Sequence, residues 1–245
     1  MLEWSHIIRV RSGSMSMVTG HGPLSSAPAG WFSPKVPAGV VYVEPHPRRV
    51  QAAKNGRTVI DTEHALLVHR PDRPLSYAFP TDEVIDLPTE SVSEAPGFVH
   101  VPWDAVDIWT EEGRTLVHYP PNPYHRIDCR PTKRRLRVEV AGTTLVDTDD
   151  TVIVFETALE PRLYVDPSHV RTEFLRQTDT STYCNYKGYA SYWSAVVGDT
   201  EIEDVAWSYL DPPPESVPIK GFFSFDAARA DVVAEVPESQ DLGGE

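Results

Sequence analysis

Cysteine is nearly absent from this chain: 245 residues contain only Cys129 and Cys184. Two thiols exclude a disulfide framework and a four-cysteine zinc site, and two free thiols is the plain reading. Long apolar runs are missing as well. Without about 18 consecutive apolar residues there is no transmembrane helix. Residues 1–20 hold Ile7 and Ile8 but no continuous apolar stretch of signal-peptide length, so the cytoplasm is the expected setting. Positive charge is also scarce, with 22 Lys+Arg against 36 Asp+Glu and a net charge of -14. Such a surface repels nucleic acid and anionic membrane over any large non-specific contact. A small-molecule ligand, neutral or basic, is the expected partner, and the oligomeric state stays open.

Helical periodicity is weak, and short β-rich runs with turn punctuation take its place. Pro167–Arg176 and Trp103–Glu112 are the two stretches that suit a helical turn or two, each with a proline at or beside its first position. Tyr189–Val197 and Gly221–Phe225 read as strands. With 23 prolines confined to edges and loops, the expected fold class is all-β and mainly antiparallel. Residues 1–40 are rich in Ser, Gly and Pro and read as a flexible arm, with Trp31 and Phe32 as anchors should it lie as a strap. Residues 237–245 read as an acidic tail.

Between these ends the sequence is written twice. Val50–Thr62 matches Leu136–Thr148 at a fixed offset, and both read strand, tight turn, strand. Asn55-Gly56 is a strong hairpin signal, with Gly142 at the matching place. Ala65–Val68 then answers Thr151–Val154, and Pro74, Tyr77 and Pro80 are aligned with Pro161, Tyr164 and Pro167. The expected domains are 41–130 and 131–236.

Four ordered blocks in the second half carry a family resemblance: Val154–Pro167, Thr182–Trp193, Ala206–Tyr209 and Ile219–Phe225. They resemble the bacterial domain-of-unknown-function family 427. Val41–Pro45, Val101–Val106 and Pro123–Asp128 resemble the degenerate first repeat of tandem members. Met17–Trp31 is similar to the family's Gly- and Pro-rich start, which marks residues 1–16 as a candidate over-extended gene start. The resemblance implies two tandem β-tent-like domains, a fold shared with methionine sulfoxide reductase B and the ligand-binding domain of cereblon. Relatives of that fold often hold zinc through two Cys-x-x-Cys pairs, which this chain lacks. A nucleotidyltransferase label goes with the family, but its Gly-Ser followed by a paired-acid strand is missing here. No cofactor and no metal is expected.

Candidate chemistry is densest at Thr182–Trp193 and Trp207–Tyr209. Cys184 and Lys187 are the candidate catalytic pair, since an ammonium beside a thiol favours the thiolate if Lys187-Gly188 turns back. A packed thiol and a solvated amine is the competing account. Tyr189, Tyr192, Trp193, Trp207 and Tyr209 are candidates for an aromatic cage, with core packing as the alternative. Trp207 and Tyr209, two apart on a strand, share a face. Glu156, Arg162 and Arg126 are candidates for an anionic ligand group or for structural ion pairs. The proline-rich seven-residue separation of His118 and His125, with Asp128, matches no metal signature. Recognition of a small molecule or modified side chain in the second half is the leading reading. A Cys184-dependent transferase or redox enzyme and a structural partner-binding protein are its rivals.

Overall fold

A computed structural model describes residues 33–71, 73–157 and 159–237. The expected arm and tail, with Trp31 and Phe32, lie almost wholly outside the described residues. The chain divides into two compact units that meet between His125 and Arg126. The join expected at 130/131 falls inside a strand, because Asp128–Thr132 is already paired into the second unit. All helical segments among the described residues are short 3-10 turns, so the fold is all-β. Pro167–His169 and Trp103–Ala105 are two of these turns, at the places where proline pre-sets φ.

The first unit contains β1 (Tyr42–Pro45), β2 (Val50–Lys54), β3 (Arg57–Thr62), β4 (Leu66–His69), β5 (Ser76–Pro80), β6 (Glu90–Ser91), β7 (Phe98–His100), β8 (Ile108–Glu111) and β9 (Arg114–Leu116). One sheet runs β1-β4-β5-β7-β6 and the other β3-β2-β8-β9. Val50, Ile60, Leu67, Phe79 and Trp109 are fully or almost fully buried in a shared core. Inside it Glu111 accepts hydrogen bonds from His46 at 2.8 Å, Tyr77 at 2.6 Å and Arg48 at 2.5 Å. Burial acts to raise this carboxyl, but the three hydrogen bonds outweigh it and hold it down at about 2.

The second unit contains β10 (Ile127–Thr132), β11 (Leu136–Val140), β12 (Thr143–Thr148), β13 (Thr151–Glu156), β14 (Arg162–Val165), β15 (Leu175–Cys184), β16 (Gly188–Val197), β17 (Thr200–Tyr209), β18 (Phe223–Phe225) and β19 (Asp231–Ala234). Its large sheet runs β10-β13-β14-β18-β17-β16-β15, and its small one β12-β11-β19. Leu136, Val138, Leu145, Ile153, Val165, Val205 and Phe225 pack in the core between them. Burying each such side chain contributes about 1.5–3 kcal/mol.

Strand registers in the two units run in step. Tyr42 pairs with His69 as Asp128, 86 positions later, pairs with Phe155. Leu66 pairs with Ala78 as Val152 pairs with Tyr164, again 86 positions on. Both hairpins carry a register shift at matching places, between Ala52 and Ala53 and between Val138 and Glu139. Arg49 grips Asp61 in a two-pronged pair, and Arg135 grips Asp147 in the same way. At this constant offset of 86 positions the ladder sets Ala78, and not the expected Tyr77, against Tyr164. A single-residue slip would turn every side chain to the opposite face, so the ladder and not the proline spacing fixes the correspondence.

Candidate functional site

One face of the large sheet in the second unit gathers most of the candidate residues. Alternation along paired strands puts Ile127, Val152, Val154, Tyr164, Ala190, Tyr192 and Tyr209 into one cluster, with Cys129, Cys184, Tyr186, Trp207 and Phe222 packed against it. The Pro-rich segment between β17 and β18 adds Ile219, fully buried, and a hydrogen bond from Ser216 Oγ to the Tyr186 carbonyl. Gly188 opens β16 at φ +83°, and the space beside it is closed by Asp211 O and Pro213, so a side chain there would be strained.

Lys187 sits in this turn and is buried. Its Nζ forms an ion pair with Glu156 of β13 and stands 5.8 Å from the centre of the Tyr209 ring. Burial works against the ammonium, but Cys184, Glu156 and Tyr164 outweigh it, and the Lys187 pKa is raised. A solvated amine is therefore not what the fold provides. Cys184 retains some exposure as a residue, yet the surroundings of its thiol are dense, and burial raises it above the ordinary thiol value despite Lys187. Cys129 is raised in the same way. The geometry therefore gives Cys184 the character of a packed thiol, and at neutral pH it carries its proton.

The aromatic candidates divide. Tyr209 is 2% exposed and Tyr192 8%, and the Tyr192 hydroxyl lies 2.9 Å from Thr182 Oγ1. Both are core. Trp193 lies on the opposite face, where its ring meets Phe223 edge-on at 4.9 Å. Tyr189 is exposed and packs on Tyr183 at 4.8 Å. Of these five candidates, Trp207 alone is partly open on the clustered face, beside the partly open Tyr186 and Phe222. Its Nε1 donates to Tyr164 OH at 3.2 Å, which fixes the indole plane. The Arg162 guanidinium lies over the indole, 5.2 Å from the ring centre, and Arg162 is exposed. Among the described residues Arg162 makes no ion pair. Its planar fork is thereby oriented by stacking while its N–H groups remain available.

Arg126 stands apart from this group: its side chain is 75% exposed and lies 3.7 Å from Asp128. Asp128 in turn is held by Arg130 at 2.9 Å. Among the described residues no three His, Cys, Asp or Glu side chains converge on a metal position. Tyr164 was not singled out by sequence reasoning. The signal was available, since Arg162 and Tyr164 are two apart on one strand and so flank Trp207 from the same side.

Residues 128–236 match the family described as "Domain of unknown function (DUF427)". The second unit is a DUF427 domain. A comparison with curated proteins finds no match. No helix among the described residues is long and apolar enough to cross a membrane. The DUF427 domain thus brings Lys187, Glu156, Arg162, Tyr164 and Trp207 to one sheet face from three strands and a turn, with Arg162 at its exposed side.

Proposed function

We propose that the DUF427 domain recognises a small molecule bearing a planar anionic group, taken by Arg162 and seated against Trp207. The observation that carries this reading is the exposed Arg162 guanidinium stacked over a partly open indole with no carboxylate partner among the described residues. A stacked guanidinium offers a carboxylate two parallel hydrogen bonds, and the neighbouring indole offers a flat wall at little ordering cost. The buried Lys187–Glu156 pair and the Trp207–Tyr164 hydrogen bond are the support beneath it. They hold the wall rigid.

The two units are, in this reading, copies of one β-tent-like fold, of which only the second keeps the site. In support, Ser76 pairs with Val68 as Arg162 pairs with Val154, and Ala78 pairs with Leu66 as Tyr164 pairs with Val152. Arg70, following His69, takes the place of Glu156, following Phe155. The first unit is then a scaffold copy. Two unpaired thiols accord with a cytoplasmic setting.

Thermal unfolding of the full chain with benzoate and nicotinate tests this function. A ligand at a hundred times its Kd stabilises by about 2.7 kcal/mol. A rise in Tm that vanishes in both Arg162→Ala and Trp207→Ala supports the reading. A rise that survives in both variants would place binding elsewhere.

A further inference from the structure

The hairpin tips of the two units are shaped alike and finished differently. Asn55 and Gly56 turn with φ of 51° and 72°, and Ala141 and Gly142 turn with 48° and 74°. In so tight a turn the amide of the first turn residue points away from the ladder and takes its partner from outside the hairpin. The first unit supplies that partner. Asp107 donates its own amide to Ala53 O at 2.9 Å, and its Oδ2 accepts from the Asn55 amide at 2.6 Å.

Register carries this position into the second unit. Ile108 lies opposite Ala53 as Asp231 lies opposite Glu139, so the residues just before them, Asp107 and Ala230, correspond. Ala230 brings only a methyl group, and its amide turns back to Asp226 O at 3.0 Å. No acceptor for the Ala141 amide appears among the described residues. At this place a cleft of about 590 Å3 opens, lined by Val140, Ala141, Ile202, Ala230 and the charged Glu139, Arg229 and Asp231.

Glu139, Asp231 and Arg229 are the charged groups of the cleft, with Arg137 drawn to the two carboxylates. Glu139 accepts from Arg137 at 2.5 Å and from Thr144 at 3.0 Å, and the Arg137 charge also feels Asp231. Arg229 donates through Nη1 to Glu203 O at 2.6 Å and holds Asp226 through Nε at 3.3 Å, which leaves Nη2 uncommitted.

We infer that this cleft binds a short-chain carboxylate, whose carboxyl group takes on the Ala141 amide the place that Asp107 fills on Asn55. Arg229 supplies the counter-charge, and Val140, Ile202 and Ala230 meet the alkyl body. The site is separate from Trp207 and does not depend on the function proposed for it.

Amide resonances of the 15N-labelled full chain, followed while butyrate is added, test the assignment. The expected result is a saturable shift of the Ala141 and Gly142 amides with butyrate and none with butyramide. Arg229→Gln should weaken the response several-fold. Ala230→Asp should abolish it, because the new side chain supplies the carboxylate from within, as Asp107 does. Resonances elsewhere report whether each variant is folded, and the Trp207 indole signal separates this site from the one above. An Ala141 amide that does not move with butyrate, moves equally with butyramide, or still moves in folded Ala230→Asp overturns the inference.

Discussion

Lys187 and Glu156 form an ion pair in which each side chain keeps only 10% of its exposure. A buried pair is costly to assemble and more costly to break, since the surviving partner is left charged without compensation. Lys187→Met should therefore destabilise the second unit by about 3–5 kcal/mol in urea unfolding. Adding Glu156→Leu should recover most of the loss. Because the Lys187 pKa is raised above its ordinary 10.5, the pair's contribution is fully present below that value. It is lost only as pH rises through the higher folded value.

Cys184 supplies a second prediction. Burial raises its thiol, and the nearby Lys187 ammonium opposes that without overcoming it. Iodoacetamide labelling of the intact chain should show a midpoint above the ordinary thiol value for Cys184. In Lys187→Met the midpoint should rise further. A midpoint below the ordinary value would revive the nucleophile.

Acid should weaken the first unit through Glu111. Its pKa is lowered from 4.5 to about 2, so its stabilisation is complete above 4.5 and is lost as pH falls through 2. The difference corresponds to about 3 kcal/mol at neutral pH. In Glu111→Gln this acid-dependent loss should disappear from a series of unfolding curves between the two values. The variant should also be less stable at neutral pH, because Gln keeps only one of the two acceptor oxygens and loses the negative charge that faces Arg48.

Ala141 occupies φ 48°, a conformation that disfavours a Cβ. Asn55, at the matching tip, is a residue that tolerates it. Ala141→Asn should stabilise the second unit by about 0.5–1 kcal/mol, read as an increase in the urea midpoint with an unchanged slope.

Much of the fold was legible because its signals are local. Asn55-Gly56 and Gly142 marked two hairpins, and the two-residue period placed Trp207 with Tyr209 on one face, as the ladder has them. What the sequence hid depends on partners far along the chain. Lys187 meets Glu156 across 31 residues, and Glu111 meets His46 across 65. No spacing rule announces such pairs. The division of Tyr192 into the cluster and Trp193 into the opposite core follows from register, which a run of consecutive aromatics leaves undecided. Proline spacing similarly suggested Tyr77 for Tyr164, and only the pairing of Leu66 with Ala78 and of Val152 with Tyr164 resolves it.

The central claim is that Trp207 and Arg162 form the wall and the fork of one ligand site. Titration of the 15N-labelled chain with nicotinate, following the indole N–H of Trp207, tests it most directly. The account predicts a saturable shift of that resonance, assigned through Trp207→Phe and lost in Arg162→Ala. A Trp207 indole signal that stays fixed while other resonances respond, or that responds equally in Arg162→Ala, would contradict it.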